Sequence, residues 1–313
     1  MKRLRVYGVP WHTGHNHALC QMGCISKYSF QINPWRSWNY TNRPWPSCAE
    51  LVGSFDPSHH DVAILHVDHN VVSDTRKCDL LYSLVETLDL HNFPRVFINH
   101  TVPHGVPEEA ALFDFGWWPM VCNSRQAKRE WEACGVRNVV AITHAYPSNM
   151  FFCGRHRPFS ASVLTYDSGS SDQMYNPDLT QFVLGRLEAE GVPVYRLGQT
   201  MPLRDFEEYQ SVLQRHLLFL HTGSGCPMPR TRTEAIMCGA LCVSVRGHDF
   251  DEDHSSVADF SDDPADIVRM VKDRLIRPLD TRAEGVLRAG RLQGALSWGN
   301  YQQQWESILS SVL

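Results

Sequence analysis

The sequence predicts an α/β fold of two tandem domains, each built on a largely parallel sheet covered by helices. Three observations predict it. Short apolar runs alternate with stretches of helical spacing, the pattern left by strands joined through crossover helices. That alternation breaks once, near residues 146–160, and then restarts. The chain has 313 residues, more than one ordinary hydrophobic core organises and enough for two.

The elements follow in order. "LRVYGV", from Leu4, is a β-rich run ended by Pro10, and "HNHALCQMG" behind it has helical spacing. "DVAILHV" at 61–67 has the unbroken apolar character of a buried parallel strand. In "CDLLYSLVETLDL" at 78–90, Leu81, Leu84, Val85 and Leu88 share one helical face. "RVFINH" at 95–100, "MVCNS" at 120–124 and "NVVAITHA" at 138–145 are further strands. Between the last two lies the helix "RQAKREWEACG", with Gly135 where a C-cap glycine belongs. After the irregular "YPSNMFFCGRHRPF", strands "SASVLTYD", "VPVYRLG", "LLFLHTG" and "ALCVSV" alternate with helices "DLTQFVLGRLEAEG", "LRDFEEYQSVLQRH" and "TRTEAIMCG". Three helices close the chain: "DPADIVRMVKDRLI", "TRAEGVLRAGRLQGAL" and "NYQQQWESILSSVL". The expected domains are 1–150 and 151–313. No internal repeat or low-complexity tract is present.

Composition narrows the function. Hydrophobic residues make up 43% and charged residues 20%, a globular balance. No apolar run reaches the roughly 20 residues that span a bilayer. "MKRLRVYGVPW" lacks the long apolar segment and small-residue cleavage site of a secretion leader. The ten cysteines are therefore expected as reduced thiols, and the chain as cytoplasmic. Net charge is −5, without the basic surplus of a protein that binds nucleic acid through phosphates. The short basic runs "NSRQAKRE" and "GRHRP" read as solvated faces.

Two stretches carry chemistry. The first, "VPWHTGHNHALCQMGC" at 9–24, places a strand, a tight turn with Gly14 and a helix start in succession. Ligands of open parallel sheets collect at this place, beside free helix N–H groups. Thr13 and Gly14 can offer backbone donors to an anion, and His12 or His15 a side-chain donor. A zinc site is disfavoured, because Cys20 and Cys24 fall a turn or more along the helix and the spacing matches no zinc pattern. Buried structural histidines and a phosphate- or substrate-facing loop both remain open readings. So do two readings of the aromatic stretch "NPWRSWNYTNRPWPSC" at 33–48: a surface for sugar rings or bases, or a loop pinned by buried rings.

The second stretch is "LLFLHTGSGCPMPRTRTEAIMCGALCVSV" at 217–245. A strand enters a Gly/Ser loop, Pro227 and Pro229 restrict the turn, and a helix begins near Arg230 with Glu234 in its first or second turn. Arg230 and Arg232 at a helix N-terminus suit a diphosphate, through free amides, dipole and guanidinium forks. A carboxylate just inside can accept hydrogen bonds from two ribose hydroxyls. Taken alone, Glu234 is more simply a glutamate that suits the helix dipole.

In company it resembles something more specific. "VPVYRLG", "EEYQSVLQRHLLFLHTGS" and "TEAIMCGALCVSV", in this order and spacing, resemble the second domain of retaining GT-B glycosyltransferases of the glycogen-synthase-like and sucrose-synthase-like group. "CNSRQAKREWEACGVRNVVAITHAYPSNMF" resembles that family's passage from first domain to linker, and "SWGNYQQQWESIL" its terminal helices, which fold back toward the first domain. The resemblance implies the GT-B fold: two Rossmann-like domains whose parallel sheets face a central cleft. It implies transfer of a sugar from a nucleotide-diphosphate donor to an acceptor hydroxyl with retention of configuration, and no resident cofactor or divalent metal. By position, Glu234 matches the ribose-holding glutamate, and Thr231 with its neighbouring amides the phosphate-binding helix start. Arg230 and Arg232 add charge there, and Gly198 and Gln199 border the base. Thr13, Gly14 and His15 match the loop that closes over the phosphates. His100 matches the acceptor-side histidine near the reacting carbon, with Asp68 as its catalytic companion and His12, His69 and His104 around the acceptor. Without the resemblance, His100 reads equally as a hydrogen-bonded histidine at a strand end.

Two departures accompany the match. The family's first glutamate, eight positions before the ribose one, is Cys226 here. Its basic pair in the first loop of the second domain is missing from "YDSGSSDQMYNPD", which offers Gly169 and serines. The rival readings are a GT-B nucleotide-sugar epimerase and a non-catalytic nucleotide-sugar-binding protein. A dehydrogenase is disfavoured because no G-x-G-x-x-G follows the first strand. The acceptor stays open among a glycan, a lipid-linked sugar, a small molecule and, against the acidic balance, a modified nucleic acid.

Overall fold

A computed structural model describes residues 2–32, 37–73, 75–104, 109–147, 149–153, 158–167, 176–198, 203–223, 228–246 and 257–313. The chain divides into two units: Met1–Ala145 with Trp298–Leu313, and Tyr146–Ser297. The chain thus leaves the first unit after Ala145, a few residues before the boundary expected at 150, and its last helix counts with that first unit.

Among the described residues, the first unit holds seven strands: β1 (Leu4–Gly8), β2 (Ile25–Gln31), β3 (Ala49–Val52), β4 (Val62–Val67), β5 (Arg95–Asn99), β6 (Met120–Cys122) and β7 (Val139–Ala141). All pair in parallel, in the order β3-β2-β1-β4-β5-β6-β7. The order reverses between β1 and β4, and the crevice beyond the strand ends at such a reversal is where doubly wound sheets take ligands. Helix α1 (Thr13–Cys20) leaves β1 at that point. Register aligns the strand ends: Val67 pairs with Asn99, Asn99 with Cys122, and Cys122 with Ala141. The remaining helices are α2 (His69–Ser73), α3 (Thr75–Leu90), α4 (Glu109–Phe113), α5 (Arg125–Ala133) and, from the end of the chain, α11 (Trp298–Val312).

Each element forms for a local reason. Leu81, Leu84 and Leu88 of α3 are buried as their spacing predicts, with Val85 packed at the margin. Ser124 caps α5 by accepting from Ala127 N–H at 3.0 Å, and Gly135, at φ 94°, ends that helix as expected. Tyr301, Trp305, Ile308 and Leu309 form the buried stripe of α11. Strands β2 and β3 escape the sequence reading because their faces are mixed: Ser26, Lys27 and Glu50 are polar, and Lys27 pairs with Glu50 at 2.8 Å. Within the aromatic stretch, the pinned-loop reading describes buried Trp38 and half-buried Trp45. Trp38 lies 5.5 Å from the Phe30 ring, and its Nε1–H donates to the Arg43 carbonyl at 2.8 Å. Trp45 packs on Trp38 at 5.2 Å, while Trp35 lies outside the described residues.

The second unit has β8 (Ser160–Asp167), β9 (Val194–Gly198), β10 (His216–His221), β11 (Leu241–Ser244) and β12 (Ala258–Phe260), all parallel, in the order β12-β11-β10-β8-β9. Its helices are α6 (Pro177–Ala189), α7 (Phe206–Arg215), α8 (Arg230–Met237), α9 (Pro264–Ile276) and α10 (Pro278–Ala295). The strand order reverses between β8 and β10, and α8 follows β10 there. Among the described residues of both units, no helix is long and apolar enough to cross a membrane.

Helix α10 lies close over the turn that joins α8 to β11. A Cβ built at Gly285 would meet the Gly239 carbonyl oxygen at 2.4 Å and the Leu241 nitrogen at 3.2 Å. Both are backbone atoms that cannot rotate away. In an open helix, Gly→Ala stabilises by about 1 kcal/mol; here overpacking should reverse the sign. Gly285→Ala is expected to destabilise the second unit by about 1–3 kcal/mol, read as a lower thermal midpoint. A raised midpoint would refute the close packing.

Candidate functional site

In the first unit, the residues just past the aligned strand ends meet. Asp68 follows β4, His100 follows β5 and Asn123 lies next to the end of β6. Opposite them, the α1 start brings His12, His15 and Asn16. His12 is the N-cap of α1 and takes a left-handed backbone, φ 51° and ψ 57°. The tight turn expected at Gly14 is therefore made by His12, and Gly14 sits inside the helix. Among the described residues, no side chain caps α1.

The His12 Nε2 lies 2.9 Å from Asp68 Oδ2, and the other Asp68 oxygen accepts from Val71 N–H at 2.7 Å. Burial alone would raise the Asp68 carboxyl, but the hydrogen bond and charge of His12, with the Val71 N–H, outweigh it and hold the group at about 2. The His12 ring stacks on His100 with centroids 3.7 Å apart. His15 meets the His100 ring edge-on at 4.3 Å, and His144 lies 5.8 Å from His15. Behind them His66 Nδ1 faces His100 Nε2 at 2.8 Å, and His66 Nε2 faces Asn16 Oδ1 at 2.9 Å. Thr13 Oγ1 accepts from Asn39 N–H at 3.2 Å, which ties the aromatic stretch to the α1 start.

The structure thus brings together His12, Thr13, Gly14, His15, Asp68 and His100 from the sequence reading. His69 and His104 form a separate pair. Their rings stack at 3.7 Å, His69 packs its edge on Phe113, and its Nε2 donates to the Val102 carbonyl at 2.9 Å. Sequence reasoning missed Asn16, His66, Asn123 and His144. The available signal was a polar residue at or just past the end of each apolar strand. Among the described residues, no three His, Cys, Asp or Glu side chains converge as a metal-ligand set. Cys20 ends α1 and Cys24 lies beyond it, just before β2.

In the second unit, α8 begins after Met228, at φ 51°, with Pro229 as an N-cap that offers no side-chain bond. Glu234 is buried one turn in. Its Oε2 accepts from Tyr209 O–H of α7 at 2.5 Å, and its Oε1 lies 3.8 Å from Arg230 Nε. The Arg230 guanidinium lies over the Tyr146 ring at 4.7 Å, and among the described residues none of its nitrogens makes a hydrogen bond. Arg232 turns the other way. It is wholly buried, its Nη1 donates to Ser244 Oγ at 3.3 Å, and burial together with its charge pushes His221 well below the ordinary histidine range. Thr231 lies half-buried beside them. Gly198 ends the edge strand β9, paired with Asp167. Gln199, Cys226, Gly169 and most of the loop that lacks the basic pair lie outside the described residues.

Asp68 generates a stability prediction. A carboxyl held below its unfolded value stabilises the fold above that unfolded value, and the contribution is lost as pH falls through the folded one. The shift corresponds to roughly 2 kcal/mol at neutral pH, lost between about pH 4 and about pH 2. In urea unfolding, Asp68→Asn should be less stable by about that amount at neutral pH, with a visibly smaller gap near about pH 3. A gap that does not change with pH would refute the lowered Asp68 carboxyl.

No protein-family model matches the chain, and no curated protein matches it either. Solved structures do. Anabaena Alr3699/HepE in complex with UDP-glucose aligns over 98% of this chain and 100% of its own, with TM-score 0.64 and 11% identity. Sucrose-phosphate synthase from Thermosynechococcus elongatus aligns over 98% of both chains, with TM-score 0.67 and 10% identity. The pneumococcal O-GlcNAc transferase GtfA, in complex with UDP and GlcNAc, covers 80% of this chain and 56% of its own at TM-score 0.50 and 12% identity. Identities this low speak to architecture, and the architecture agrees over nearly the whole chain: two parallel-sheet α/β units in tandem, the GT-B fold.

Proposed function

We propose that this chain is a glycosyltransferase that takes a sugar from a nucleotide-diphosphate donor and passes it to an acceptor hydroxyl with retention of configuration. The observation that carries the proposal is the start of α8. At the strand reversal of the second sheet, a helix N-terminus without a side-chain cap among the described residues carries Glu234 one turn in and an Arg230 guanidinium that makes no hydrogen bond to any of them. Free amides and the helix dipole favour a diphosphate there, and Arg230 adds a forked cation. Glu234 is placed to accept from ribose hydroxyls, with Tyr209 orienting the carboxylate. The whole-chain likeness to a UDP-glucose complex supports this reading and makes UDP-glucose the first donor to test.

The chemistry asked of such a site is modest. Donors fixed in advance around the leaving diphosphate stabilise the charge that develops as the sugar becomes oxocarbenium-like. The reading expects turnover without added divalent metal, and chelation tests that. A second reading, binding without turnover, is favoured by Cys226 in place of the family's first glutamate and by the missing basic pair.

Calorimetric titration with UDP-, GDP-, ADP- and dTDP-sugars, followed by a transfer assay with the anomeric product read by NMR, separates the two readings. Glu234→Ala is expected to weaken donor binding by roughly 100-fold, the cost of losing hydrogen bonds to a charged acceptor. Donor affinity unchanged in that variant would remove the ribose role. An inverted product would remove retention.

A further inference from the structure

The cysteines of the stretch at 9–24 take no part in the site described above. Cys20 ends α1 and is buried, and Cys24 lies beyond the helix. Cys20 meets another thiol. Cys48 stands half-buried in the turn that leads into β3, and its carbonyl accepts from Tyr28 N–H at 2.9 Å. In its protonated form the Cys48 thiol donates to the Cys20 carbonyl at 3.4 Å. The Cys20 thiol in turn bonds the Cys48 sulfur. The two residues are 28 positions apart in sequence, so the fold makes this contact. Parallel pairing of β2 with β3, Tyr28 against Ala49, brings the turn before β3 to the helix end that precedes β2.

The surroundings make the two thiols unequal. The bond from Cys20 holds Cys48 down at about 7 against its partial burial, and the Cys48 backbone N–H and the charge of Arg3 act in the same sense. Cys20 is pushed well above the ordinary thiol range, by burial first and by the same bond second. The third titratable group beside them, Tyr28 of β2, is wholly buried and is pushed up as well. At neutral pH, then, one sulfur is largely thiolate and reaches solvent, and the other is a protonated thiol held against it. A thiolate is the form that attacks an oxidant, and a second thiol in contact turns the product into a disulfide. Other thiols are placed differently. Burial pushes Cys122 and Cys238 up and raises Cys24 to about 11, the condition of inert cysteines.

We propose that Cys48 and Cys20 form a reversible disulfide site whose oxidant is a hydroperoxide, with Cys48 as the attacking sulfur and Cys20 as the resolving one. The Cys48 thiolate bonds to one peroxide oxygen. The O–O bond breaks, and the other oxygen takes a proton and leaves as water or an alcohol, so that Cys48 becomes a sulfenic acid. The Cys20 sulfur then bonds to the Cys48 sulfur. The S–O bond breaks, and the departing oxygen takes the Cys20 proton and leaves as water. The two thiols lose two electrons in all, and the peroxide gains them. A dithiol reductant reverses the reaction by thiol–disulfide exchange. None of this depends on sugar transfer. The new bond also fastens a segment. Asn39 N–H already ties the aromatic stretch to Thr13 Oγ1 at the start of α1, at 3.2 Å. The disulfide adds a covalent tie at the other end of that helix, so residues 39–48 are held to α1 at both of its ends.

The test begins with the reduced full chain. It is treated with a small excess of hydrogen peroxide, its remaining thiols are blocked with N-ethylmaleimide, and it is digested without reduction for mass spectrometry. A cross-linked peptide pair joining Cys20 to Cys48 is expected, and dithiothreitol should abolish it. In Cys20→Ser the pair should be absent and dimedone should trap Cys48 as the sulfenic acid. Iodoacetamide alkylation of Cys48, followed peptide by peptide against pH, should have its midpoint near about 7 in the unsubstituted chain. In Cys20→Ala the midpoint should rise toward about 8.5, the ordinary thiol value. Hydrogen exchange of the amides in 39–48 should slow in the oxidised chain. Cys48 cross-linked to a different cysteine, or still a thiol while other cysteines oxidise, overturns the site, and the unsubstituted chain decides this whether or not the variants fold. A midpoint unmoved by Cys20→Ala overturns Cys20 as the source of the reactivity. Exchange that oxidation leaves unchanged overturns the fastening.

Discussion

Parallel pairing is the constraint on which the rest depends. In a parallel sheet every strand ends on the same edge, so whatever follows one strand sits beside whatever follows the next. With Val67, Asn99 and Cys122 in one register row, Asp68, His100 and Asn123 become neighbours by topology alone. Those three residues lie at or past the point where ladder hydrogen bonding stops, and they are buried. Polar groups in that position are costly unless they bond one another. Imidazole and amide groups answer this well, since each both donates and accepts. The same row that makes a site is therefore also the device that closes the sheet edge.

This explains which parts were legible in the sequence. Fully buried strands such as "DVAILHV" and single-faced helices such as α3 declare themselves, because burial fixes their residue type position by position. Strand β2 does not, since Ser26 and Lys27 face solvent at its start and remove the apolar run that marks its neighbours. The α1 start was legible as a ligand-type cluster, and Asp68 and His100 as strand-end residues. Asn16 and His66 were not: one stands in the middle of a histidine-rich stretch that draws attention to metal chemistry, and the other in the apolar body of a strand. What joins them is pairing between segments fifty residues apart, which no local pattern contains.

The second unit shows a different limit. Arg230 and Arg232 read in sequence as one cationic pair at a helix start. Helical geometry separates them, because residues two apart lie about 200° around the axis while residues four apart share a face. Arg230 therefore stands with Glu234, over Tyr146, and Arg232 enters the core toward Ser244 and His221. The period that placed Glu234 correctly should have divided the arginines. Tyr209 could not be found this way, since α7 reaches Glu234 only through tertiary packing.

The placement of charge in the histidine cluster follows from burial. An imidazolium with no counter-ion at the depth of His66 would cost far more than the roughly 1 kcal/mol that each neutral hydrogen bond contributes. A neutral chain of rings is the arrangement that depth permits, and it needs an acceptor at one end and a donor at the other. Asn16 and Asn123 supply them. The carboxylate of the group lies instead at its outer margin, where His12 reaches solvent. Depth thus orders the cluster, with rings bonded to rings and amides inside and the carboxylate-bound ring at the rim. The stacked pair of His12 and His100, equivalent as residues in the sequence, becomes unequal because one rests against Asp68 and the other against His66.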